Sequence, residues 1–267
     1  MDGLSSTGTE QRSRLTADGA SSRSGQAGER QLARWGGAAA LGGVVLMVLT
    51  FAVVIAMDLP DASDVETLTD FADIETGRIF EHLLYLGSVI LFTLHVPVLY
   101  QLLKRAHWAA ALFGAALSTI GLAIMAASSL LHVSTSPLAD LYSDSSTPSE
   151  DLPAIEYAWH GTQSVFDMML ATGLLLVPIG MVLFGVAMRQ SRQFGRRLAG
   201  FAIGVGVIGA VAATAEIVDQ SLEISALSVL AIVAFHLATG WRTLHLGRSD
   251  DTSTSTADQG TIDTRAG

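Results

Sequence analysis

Six long apolar runs decide what this chain can become: Trp35–Met57, Ile79–Leu103, Trp108–His132, Gln163–Met188, Leu198–Val218 and Leu222–Leu244. Each reaches the roughly 20 residues needed to cross about 30 Å of hydrocarbon. Backbone N–H and C=O groups find no water there, so only α-helices or closed barrels satisfy them. None of the runs alternates polar with apolar residues as a barrel strand would. The pattern predicts an all-α, polytopic membrane protein with six transmembrane helices. Composition agrees: half of the 267 residues are hydrophobic and only 15% are charged, against about a quarter in soluble domains.

Charge sorts the connections by side. Arg12, Arg14, Arg23, Arg30 and Arg34 precede the first run, and Lys104 and Arg105 follow the second. Arg189, Arg192, Arg196 and Arg197 follow the fourth, and Arg242, Arg248 and Arg265 lie at the C-terminal end. Only Arg78 falls on the opposite side. The positive-inside rule then predicts a multi-pass plasma-membrane protein with both termini cytoplasmic. Trp35, Trp108 and Trp241 mark inner helix ends and Trp159 an outer one, as interfacial anchoring requires.

The outer connections, 58–78 and 133–160, are acidic. Asp58 to Glu75 holds seven carboxylates, and Asp140 to Glu156 holds five without a Lys or Arg. Ser63 to Glu66 reads SDVE, a capping box that predicts a short outer helix before the second span. The second connection is turn-rich until Pro153, which suits a first helical turn, so the fourth span is expected to begin there and project outward. Residues 1–33 and 247–267 are too poor in large apolar groups to offset the entropy of ordering, which predicts disordered cytoplasmic tails flanking a bundle over 34–246. The first run is too long for a secretory leader and has no small-residue cleavage pattern, so it is expected to be retained.

With no cysteine, disulfides, thiolate ligands and cysteine nucleophiles are excluded together. Gly204 to Gly209 reads GVGVIG, but it follows no strand, so helix packing explains it better than a nucleotide loop. Ser128 to His132 reads SSLLH, similar to the Ser-x3-His of alkaline-ceramidase-like membrane hydrolases; the later paired histidines of that group are missing. There is neither HExxH nor a P-loop. No catalytic residue is predicted, and whether the chain is an enzyme stays open, leaning against.

Polar residues within the runs are sorted onto faces. At 100° per residue, Glu81, Tyr85, Ser88, Phe92 and His95 form one stripe of the second span, and His82 points elsewhere. His160, Gln163, Ser164 and Asp167 share a face of the fourth. His132 ends a small-residue face of the third, Glu216 one of the fifth, and His236 sits among Ser and Thr on the sixth. Ionisable groups cost about 2.5–3.5 kcal/mol or more against lipid, so the bundle interior is their cheapest placement. The expected site is a polar seam of Glu81, His95, His132, His160, Asp167, Glu216 and His236, opening outward.

LTDFADIETGRIFEHLLYLG, HVPVLYQLLKRAHWAAALFG and LLLVPIGMVLFGVAMRQSRQFGRRLAGFAIGVGVIG together give the chain its layout. In these stretches, spanning the second to fifth helices and extending toward the sixth, it resembles uncharacterised six-transmembrane-helix prokaryotic membrane proteins grouped as domains of unknown function. That resemblance transfers no catalytic residue.

The leading expectation is a non-enzymatic protein, transporter-like, sensory or accessory, in which the seam handles a proton, cation or small polar solute. The alternative is an enzyme: a redox protein with His95 and His236 as haem or metal ligands, or a zinc-dependent intramembrane hydrolase with the outer histidines and carboxylates as ligands. No cofactor is required by the leading reading. The lipid bilayer is the partner the runs demand; no nucleic acid is expected, and protein partners are not legible.

Overall fold

The computed structural model describes residues 7–59, 68–219, 222 and 224–248, without side chains before Gly25 or at positions 26, 69, 70 and 72. Seven helices follow in order: α1 (Thr7–Ala56), α2 (Leu68–Leu103), α3 (Trp108–Val133), α4 (Ser136–Ser143), α5 (Leu152–Gln190), α6 (Gly195–Val218) and α7 (Ser225–Arg248). Six stretches are long and apolar enough to cross a membrane, the third running from α3 through α4, and no strand occurs among the described residues. The chain is thus an all-helical, membrane-spanning bundle.

The spans form a closed ring in chain order. α1 packs on α2, α2 on α3, α3 on α5, α5 on α6 and α6 on α7, and α7 returns to α1; α5 also reaches α2 and α7 across the middle. Both ends of the described chain therefore lie at the basic end of the bundle, and α4 lies at the acidic end. Phe92, Leu99, Val177, Met181, Phe184 and Phe235 fill the centre. Ile55, Leu83, Ile120, Val211 and Leu230 point outward, an apolar surface suited to acyl chains.

Small residues set the closest approaches. A Cβ on Gly114 of α3 would stand 3.0 Å from the carbonyl oxygen of Gly180 on α5. The two backbones can touch only because neither position carries a side chain. The GVGVIG stretch behaves likewise, since a Cβ on Gly206 would stand 2.8 Å from the Pro178 carbonyl oxygen.

α1 begins at Thr7. The capping box at Ser63–Glu66 lies outside the described residues, and α2 is continuous from Leu68. α5 starts where Pro153 implies, with Pro in its first turn. The second acidic connection holds α4, which the turn-rich composition hid. α4 follows from Pro137 near its start and from Leu138, Ala139 and Tyr142, which pack inward. Beyond it, Asp144 accepts the Ser146 backbone N–H at 2.8 Å, and this bond holds the carboxyl below the usual carboxylate range. Residues 249–267, most of the expected C-terminal tail, lie outside the described residues.

Candidate functional site

The first turns of α2 and α5 and the whole of α4 build a small apolar cap at the acidic end. Leu68, Phe71, Ala139 and Trp159 form it, with Ile74, Leu138, Tyr142 and Ile155 around them. Trp159, expected at the membrane interface, is instead only 1% exposed, because α4 folds over it.

Beneath this cap lies a nest of polar side chains. Arg78 is 5% exposed, and its Nη1 donates to Glu81 Oε2 at 2.9 Å. One turn on, His82 meets His132 of α3 with ring centroids 4.5 Å apart, and Phe166 of α5 covers both rings. Ser129 Oγ lies 3.3 Å from His82 Nδ1 and donates to the His82 carbonyl at 3.2 Å. Arg78 is within electrostatic reach of both imidazoles, and Glu81 of Tyr85.

The nest is notable for its uncommitted polar atoms. Arg78 Nε and Nη2, Tyr85 Oη, both ring nitrogens of His132, Trp159 Nε1 and Gln163 Oε1 are buried without a partner in hydrogen-bonding geometry. Gln163 faces His132, but the two meet without the angle and distance of a formed bond. Most buried polar atoms in proteins are satisfied, and one left alone costs about 1–3 kcal/mol. Seven such atoms on the neighbouring residues of this end make the nest the candidate site.

A second imidazole pair stands apart. His95 of α2 and His236 of α7 are 0% and 1% exposed and face each other Nδ1 to Nδ1 at 3.1 Å. Phe92 stacks on His236 at 4.0 Å. One Nδ1 must carry the hydrogen and the other the lone pair. Two axial ligands of one haem iron stand roughly 4 Å apart with a macrocycle between them, about twice the usual metal–imidazole distance. Here the rings bond directly and Phe92 lies flat on one of them, so these two residues do not fit a haem. Their spacing is close to that of two ligands on one tetrahedral ion, but among the described residues no group of three His, Cys, Asp or Glu forms around them.

The remaining seam residues gather at neither place. His160 and Asp167 are exposed on α5. Glu216, half-buried in the last turn of α6, lies beside Ser225 and within electrostatic reach of Asp167. Helix length explains this sorting. At about 1.5 Å per residue, Asp167 and Glu216 lie roughly 35 and 32 Å along α5 and α6 from their basic ends. Arg78 and His132 lie roughly 38 and 36 Å along theirs. All exceed the roughly 30 Å of hydrocarbon, so Asp167 and His160 can face water without cost. By the same measure His95 and His236 lie only about 12 and 18 Å in.

The seam therefore resolves into three parts: Glu81 and His132 in the nest, His95 with His236 in the interior, and His160, Asp167 and Glu216 on the α5–α6 rim. His82 is the residue that sequence reasoning missed. A stripe drawn through Glu81 excluded it, whereas one drawn through Arg78 at i, i+4 and i+7 collects His82 and Tyr85.

The fold and nest define a polytopic helical membrane protein with a polar site capped at one end. The chain belongs to a family known by its description as a domain of unknown function (DUF4386), whose model matches residues 30–246. No curated protein and no solved structure matches it.

Proposed function

We propose that the protein is non-enzymatic, transporter-like or sensory, and that it binds a small polar solute bearing acceptor oxygens in the Arg78–His132 nest. The positive-inside pattern supports a nest that faces outward. The observation that carries the reading is Arg78: a buried guanidinium with one ion pair and three further N–H bonds on Nε and Nη2 uncommitted. Tyr85 Oη, Trp159 Nε1 and one His132 nitrogen add donors. A carboxylate-sized group matches this set, because guanidinium binds two oxygens through parallel N–H bonds. A cation suits the nest less well, since Glu81, the carboxylate seen at the nest, is already engaged by Arg78.

Trp159 supplies the readout. Purified protein titrated with acetate and then with larger carboxylates is expected to show a saturable change in tryptophan emission. Trp159→Phe removes the signal. Arg78→Gln weakens binding about 10- to 100-fold, the value of hydrogen bonds to a charged group. Absence of saturation with every carboxylate, or an Arg78→Gln protein that binds as the wild type does, overturns the reading.

A further inference from the structure

One face of α2 joins the nest to the cap above it. Leu68, Phe71, Ile74, Arg78, His82 and Tyr85 follow one another at spacings of three or four residues, so they share that face. Arg78 stands where the face changes character. Toward the membrane come His82 and Tyr85; toward the cap come Ile74, about 6 Å along the helix, and then Phe71.

The side chains above Arg78 are apolar. Phe71 meets His132 with ring centroids 5.6 Å apart and Trp159 at 6.5 Å. Leu68 and Ala139 are 1% and 0% exposed, and Ile74 packs against them from the side. The four fully buried side chains of the cap thus carry no charge. The carboxylates nearest in sequence, Asp73, Glu75, Asp140 and Glu156, all keep contact with water, and Glu81 already pairs with Arg78.

We propose that the ligand of the nest is a short-chain monocarboxylate, an inference that rests on reading the nest as a carboxylate site. The carboxylate lies on Arg78, and the alkyl tail lies against Ile74 and Phe71 beneath the cap. Each methylene buried there strengthens binding about fourfold. A second charge in the same place is stripped of water without gaining a counter-ion, which costs far more. The cap therefore selects against amino acids and dicarboxylates by what it does not offer them. Trp159 and Ala139 close the space overhead, which keeps the tail short.

Tryptophan emission of the full chain in neutral detergent tests this, titrated at neutral pH with formate, propionate, glycine and malonate. Propionate is expected to bind roughly tenfold more tightly than formate, the effect of two carbons largely buried. Glycine replaces the methyl of propionate by an ammonium, and malonate replaces it by a carboxylate. Both should bind at least about tenfold more weakly than propionate. Ile74→Ala should cut the advantage of propionate over formate roughly threefold and leave formate binding as it is. Formate, glycine or malonate binding as tightly as propionate overturns the proposal while the Arg78 site stands. An unchanged ratio in Ile74→Ala overturns it as well. If none of the four saturates, the nest is no carboxylate site and both readings fall together.

Discussion

Two histidine pairs are buried in this bundle, and they differ in what their nitrogens do. His95 and His236 point nitrogen to nitrogen at 3.1 Å, packed among Phe92 and Phe235. His82 and His132 lie ring beside ring at 4.5 Å, and neither nitrogen of His132 has a partner. The first pair bonds ring to ring through Nδ1 and ties α2 to α7, leaving only His95 Nε2 of its buried nitrogens without a partner. The second leaves its hydrogen-bonding capacity unspent next to a buried Arg78. Burial of an imidazole thus has two meanings here, and only the partner list separates them.

The same substitution should have opposite signs at the two places. His95→Leu keeps the volume but removes one half of a buried bond, leaving the His236 nitrogen alone. That costs about 1–3 kcal/mol, read as a lower unfolding midpoint in detergent. His95→Leu/His236→Leu removes both polar partners, and should recover most of the loss instead of doubling it. A double variant as destabilised as the sum of the singles would break the claim that the pair is a self-contained tie.

His132→Leu is the smaller effect and the sharper one. It deletes two unpaired nitrogens and keeps the contacts with Phe71, His82 and Phe166. The protein should be unchanged or stabilised by up to about 1 kcal/mol, because a buried polar group without a partner is a net cost. Carboxylate binding, followed at Trp159, should weaken in the same protein. A His132→Leu variant destabilised as much as His95→Leu would show that the nest is structural after all.

How much of this was legible beforehand follows from which forces act locally. The six spans were plain because hydrocarbon thickness sets a length that composition reveals directly. The start of α5 was plain because proline favours a first turn. α4 was hidden, since an eight-residue helix owes its stability to packing on Phe71 and Trp159 and not to its own propensity. Periodicity placed Glu81, Tyr85 and His95 on one face but not their depth. Nor could it tell that His82 turns to α3 while Asp167 turns out, because a helical wheel has no neighbours on it. The sequence puts His95 and His236 at comparable depth; that they bond each other is a fact of tertiary packing.

The smallest expected effect belongs to Asp167, and it decides between a seam and a nest. Asp167 is exposed on α5, near Glu216, and two carboxylates of like charge repel each other weakly across a wet surface. Asp167→Asn removes that repulsion at an exposed position, so stability should move by less than about 0.5 kcal/mol. Carboxylate binding should be unchanged or slightly stronger, since one negative charge has left the acidic end. The pairing in the nest does not involve Asp167, and the residues that hold Arg78 and His132 in place remain. A large loss of binding in Asp167→Asn would mean that the solute is handled on the α5–α6 rim. The uncommitted donors of Arg78 would then need a different explanation.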